Sequence, residues 1–457
     1  MMGPARGVFT CLLGWALANS IVPAAQPLAP SKTGGSTNVR LIAHLPTGGY
    51  FRAGGIDLEQ ELERPYVYVA RMLDQAGFDI VDIRNPAQPS VIYSWRFDRA
   101  VARTGLGGES LKYFKVKGRY YLVKGVAFEP GSPDAELSAI VFDVTGLPDP
   151  QAVKEVGRIP GGRVTHIFTY KHSDGRTLLF TTPSLSLFGN VYDLSKFLAG
   201  DANHGFIGRI PLPDNPLKNP TRGYHDTHVY FDPVSRQDRL YGAGTGGFYV
   251  FDITRPEQPV QLAYLMAADG VIASGHTLTP TPDGRFAIAQ VEREHWPVMI
   301  FDLQAGEAPA GGVRTIREPV GAWMADWQTA AHTHDTRWPY VFVAGFEDGL
   351  QIFNMIDPRA PRTVGWYYTC ECAHKTGWGG VDNPRGTSVY NGASDVRVRN
   401  ADGIIVVSDY NTGLWLFRLD GFPGWNGADW GVPNISSAQN WDSGPDRNGA
   451  RPTGGLR

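Results

Sequence analysis

Short apolar runs, each closed by an Asp or Asn and a Pro-containing turn, recur along the chain. They are clearest at "FDIVDIRNPAQPSVI" (78–92), "IVFDVTGLPDPQAV" (140–153), "FYVFDITRPEQPVQL" (248–262) and "LQIFNMIDPRAPRTVG" (350–365). β-branched and aromatic residues favour a strand, the Asp or Asn can cap a turn, and Pro stops one ladder before the next begins. Weaker copies at 190–197, 298–306 and 414–422 lack the Pro turn or alter it. Anchored on Asp82, Asp143, Asp193, Asp252, Asp302, Asn354 and Arg418, the steps are 61, 50, 59, 50, 52 and 64 residues. Repeats of about 40–50 residues with several strands each point to propeller blades, so these carry extended loops. Each unit reads as a polar-spotted first strand, an apolar second, a third ending in the anchor, and a fourth after the turn. The last unit has no fourth strand, whereas "NVRLIAHLP" (38–46) is a strand without a unit. Joining the two closes a ring and protects the sheet edges. The expectation is an all-β chain: one seven-bladed β-propeller over 38–420, closed by its N-terminal strand.

Composition agrees with many turns: Gly 55 and Pro 34 in 457 residues, with 12% aromatics. The formal net charge of -3 gives no electrostatic case for nucleic acid. Arg6, a short apolar run and Ala16-Leu17-Ala18 predict a signal peptide over 1–18. A flexible lead-in (19–37) would follow, and a Trp- and Gly-rich tail (421–457) would end the chain. The expected location is secreted, periplasmic or cell surface, with no transmembrane segment in the mature chain.

The anchors and Pro turns resemble those of the LVIVD-repeat proteins, a family of bacterial surface and exported β-propellers. The resemblance spans most of 38–420. Here Asn354 replaces the Asp, and two units lose the Pro turn.

Counting back from the anchors places His166, His228, His276 and His334 in the first strands of four consecutive blades, 27, 24, 26 and 20 residues ahead. First strands line a propeller's channel, so these four imidazoles are the candidate ligands of one divalent transition metal, Fe or Cu before Zn. The arrangement resembles, in geometry alone, the four inner-strand histidines of carotenoid cleavage oxygenases. Strand alternation puts Asp226 on the face of His228, and His332 on that of His334, but sets His225 apart at the channel mouth. Asp226, His332 and Asp335 are candidate supporting groups, and Asp57, Glu109 and Asp395 would form an acidic arc. Cys370, Cys372 and His374 alternate, as a soft-metal cluster or a disulfide beside a histidine would. No nucleophile elbow or phosphate-binding loop is present.

Two functions follow from different classes. One is an exported metal-dependent oxidoreductase acting on a small-molecule substrate. The other is a non-catalytic propeller that binds an extracellular protein partner through its rim loops. A calcium-dependent hydrolase would need oxygen ligands, which four histidines argue against.

Overall fold

The computed structural model describes residues 33–427, apart from 48, 50, 100, 216–219, 267–271, 273, 311 and 371–390. Among the described residues twenty-nine strands form seven sheets, one per blade. The first strands are Ala53–Leu58, Leu111–Val116, Val164–Lys171, Tyr224–Asp232, Thr277–Pro280, Thr333–Arg337 and Ala393–Val398. Each packs on the next, and the seventh on the first, so they circle a central channel.

The repeated Asp has a local cause. Asp82, Asp143, Asp193, Asp252, Asp302 and Asn354 each end a third strand. Each accepts the backbone N–H two residues on, at 2.7–2.9 Å, which turns the chain toward the fourth strand. Where the Pro turn is missing, the turn is built differently. Asp193 caps a short helix, Leu194–Leu198. In blade 5 the chain first lends Arg314–Ile316 to blade 4 as a parallel fifth strand, then returns as the short outer strand Gly321–Trp323. Second and third strands are buried on both faces because neighbouring blades stack on them, which explains their unbroken apolar runs.

The ring closes as the orphan strand requires. Val39–Leu45 runs antiparallel to Gly413–Leu419, pairing Val39 with Leu419 and Leu45 with Leu414. The ordered chain extends beyond the expected limits at both ends. Gly34–Ser36 hydrogen-bonds the outer strand of blade 6, and Phe422 and Trp425 are buried against blades 6 and 7. Residues 1–18 and 428–457, with the expected signal peptide and most of the Trp-rich tail, lie outside the described residues. Among the described residues no helix is long and apolar enough to cross a membrane.

Candidate metal centre

Four histidines meet at the end of the channel where the first strands begin. In blade 4, Tyr224 pairs with Gly244 and Asp226 with Ala243, so His225 is the extra residue of a β-bulge. A bulge resets alternation and re-aims a side chain. Blade 3 carries the same irregularity between Val164 and Ile167, bracketing His166. In blades 5 and 6, His276 and His332 sit just ahead of the strand, their N–H groups donating to Gln290 O and Ala344 O. Ala243, Gln290 and Ala344 hold the same rank in their second strands, four residues past the partner of the anchor. His225, His276 and His332 are therefore equivalent positions. The same count in blade 2 reaches Gly125, opposite Ser110, and makes Glu109 their equivalent.

The rings form a chain across the channel. Centroids are 5.0 Å apart for His166–His225, 5.9 Å for His166–His276, 4.3 Å for His225–His276 and 4.7 Å for His276–His332. Two triads, His166/His225/His276 and His276/Glu292/His332, each have ligand atoms within 4.8 Å of one another. Two ligands on one ion at about 2.1 Å stand at most about 4.2 Å apart, so a small contraction would bring either triad onto a metal.

The LVIVD repeat family matches at residues 64–96, the second to fourth strands of blade 1. The remaining blades complete the ring around it. The chain is a seven-bladed β-propeller that carries an LVIVD repeat. Among solved structures, the WD40 β-propeller domain of Doa1 is similar over 84% of this chain and 99% of that one, with TM-score 0.50 and 9% identity. That likeness concerns the fold alone. Comparison with curated proteins gives no match.

The propeller holds this cluster in a state suited to cations. Burial, then the neighbouring His166, keeps the pKa of His225 well below the ordinary value. Burial and the rings of His225 and His332 do the same to His276. Both imidazoles are thus neutral and keep a lone pair. His276 is 2% exposed, and its Nε2 is buried without a hydrogen bond among the described residues. Its nearest carboxylate oxygen, Glu292 Oε2, lies 3.4 Å away. His332 contacts Ser394 O through Nδ1, which directs Nε2 toward Glu292 Oε1 at 3.6 Å and Glu109 Oε1 at 3.9 Å. For His332, burial is outweighed by Glu109 and Glu292, and its pKa rises. Burial raises Glu292 to about 7, with Glu109 adding to the rise and His332 opposing it. Tyr410 OH donates to Glu109 Oε1 at 2.6 Å.

The structure brings His166 and His276 together but not with His228 and His334. Those two lie two or three residues further along their strands, about 7–10 Å down the channel. His228 Nε2 is 2.9 Å from Asp226 Oδ2. His334 meets Thr279 Oγ1 at 2.8 Å and Gln290 Oε1 at 3.1 Å, so both its ring nitrogens are occupied. His332, expected as a supporting group, stands in the cluster itself. His225, expected at the mouth, is there because the bulge breaks the alternation that set it apart.

The acidic arc and the expected supporting group Asp335 also have another role. Asp57 Oδ2 accepts Tyr113 N at 2.8 Å, Asp335 Oδ2 accepts Val398 N at 2.9 Å, and Asp395 Oδ2 accepts Ile56 N at 2.9 Å. Each bond staples one blade to the next. Glu109 alone of that group faces the cluster. Glu292 and Tyr410 escaped the sequence reading because they come from a second strand's end and from the turn after one. Cys370 is disulfide-bonded, and Cys372 and His374 lie outside the described residues.

Proposed function

We propose that His166, His225, His276 and His332 bind one divalent transition metal, Fe or Cu before Zn, and that the protein is an exported metal-dependent oxidoreductase for a small molecule. The observation that carries this reading is the buried, unbonded Nε2 of His276 amid three further imidazoles. A buried polar atom without a partner is costly, and a metal bond would satisfy it. Imidazole ligands with one or two carboxylates suit Fe, Cu or Zn rather than Ca or Mg. A bound metal would supply Lewis-acid or redox chemistry. Glu292, with its carboxyl pushed up to about 7, is suited to hold or release a proton beside it. Glu109 fixes Tyr410 at the same wall.

Elemental analysis of protein purified without a His-tag tests the reading. About one equivalent of Fe or Cu supports it; a metal-free protein that takes up none of Fe, Cu or Zn on dialysis defeats it. The second reading, an interaction module, draws on apolar groups such as Trp327, 61% exposed and stacked on His295. It would prevail in that case. Export is tested by N-terminal sequencing of native material, which should begin after Ala18.

A further inference from the structure

Below the histidine cluster the channel holds a buried cation without a counter-ion. Lys112, on the first strand of blade 2, is 8% exposed and lines both channel cavities. The upper cavity also touches His166 and His332; the lower is walled by Phe168 and Tyr230. Among the described residues Lys112 makes no hydrogen bond or ion pair; burial and the neighbouring Arg397 lower its pKa, against a longer-range attraction from Asp57, Asp395 and Asp226.

Those carboxylates are already committed. Asp57 accepts two backbone N–H groups, Asp226 accepts Thr227 N and contacts His228, and Asp395 holds Ile56 N and Arg397. Arg397 stands beside Lys112 and adds a second positive charge to both cavities. A buried, unpaired ammonium next to a guanidinium is costly unless an anion completes it. The rings of Phe168, His228 and Tyr230 lie 5.0–6.4 Å apart around the same space, an apolar surface for the body of such an anion.

We propose that Lys112, assisted by Arg397, binds the carboxylate of a small organic acid in the channel, with its apolar part against the rings of Phe168 and His228, which line both cavities. Because the upper cavity runs from Lys112 to His166 and His332, an acid held there would present its far end to the histidines. The role as substrate anchor rests on the proposed metal centre. The binding itself does not, since none of these side chains belongs to the cluster.

The test uses full-length protein stripped of metal, so that a failed metal site and a failed anion site are told apart. Acetate and benzoate are titrated by calorimetry against acetamide, benzamide and phosphate at matched ionic strength. Saturable binding of acetate or benzoate is expected, with no binding of the amides. Lys112→Met should weaken it about ten- to a hundred-fold, the scale of one charged hydrogen bond. If phosphate binds as well as the acids, the ligand is an inorganic oxyanion and the organic-acid assignment is overturned. No binding, equal binding of the amides, or an unchanged affinity in a folded Lys112→Met overturns the site. Should that variant fail to fold, the acid–amide comparison decides alone.

Discussion

An imidazole binds a metal only through a free lone pair, and that condition separates the channel histidines. His225 and His276 are held neutral by burial and by neighbouring imidazoles, and His276 Nε2 has no hydrogen-bond partner among the described residues. His334 already uses both ring nitrogens on Thr279 and Gln290. Metal content should therefore fall sharply in His276→Ala and His225→Ala, and stay near wild type in His334→Ala, when measured by elemental analysis on untagged protein. Loss in His334→Ala alone would move the site down the channel. The sequence revealed that histidines recur in the first strands of blades 3 to 6, and it named His166 and His276. It placed His228 and His334 in the set, where the structure clusters His225 and His332: in blade 4 a bulge breaks the strand alternation, and in blade 6 His332 and His334 share a face, so alternation does not choose between them. One extra residue at His225 exchanges the faces, and a single chain carries no hydrophobic mark of that insertion. Glu292 was invisible for a different reason: it reaches the site from a second strand's end, where no repeat count placed it.

First strands also hold the ring together through carboxylates, and this gives the element-scale tests. Asp395 accepts Ile56 N from blade 1 and Thr333 Oγ1 from blade 6 while pairing with Arg397. Asp395→Ala leaves a buried N–H and a buried guanidinium unpaired, so a loss of about 3–5 kcal/mol is expected in chemical denaturation. An unchanged midpoint would remove the staple from the argument. The second strand of blade 2 supplies a pH test. Lys124 is fully buried, its Nζ donating to Gly108 O and Gly125 O, and burial lowers its pKa to about 7. The unfolded chain's value is higher, about 10.4. The stability of the neutral form is thus complete only above that value and is lost as pH falls through 7. From pH 7 to 9 the wild type should gain about 2 kcal/mol relative to Lys124→Met, which cannot titrate there. Parallel profiles for the two proteins would show that Lys124 stays charged.

At the scale of the whole molecule the sequence was most informative, because the evidence there is repetition rather than one residue. The anchors recur at blade spacing, the Asp and Asn ones closing a third strand by the same side-chain turn, and the missing fourth strand and the orphan first one account for each other. The extra parallel strand between blades 4 and 5 was not legible, since Arg314–Ile316 is three residues long and has no anchor of its own. Closure makes stability a property of the ring. Val39–Leu45 covers the edge of Gly413–Leu419, and Val39, Phe417 and Leu419 share one core with blade 6. Deleting residues 1–46 strips that edge and opens the core between blades 6 and 7. An exposed apolar edge strand pairs with other chains, so the truncated protein should melt well below the full chain and elute as oligomers or aggregate. The proposed metal ligands sit in blades 3 to 6, away from the closure, so added metal should not restore the monomer. A truncated protein that stays monomeric with an unchanged melting temperature would mean that three strands suffice in blade 7, and that the N-terminal strand decorates the ring rather than closing it.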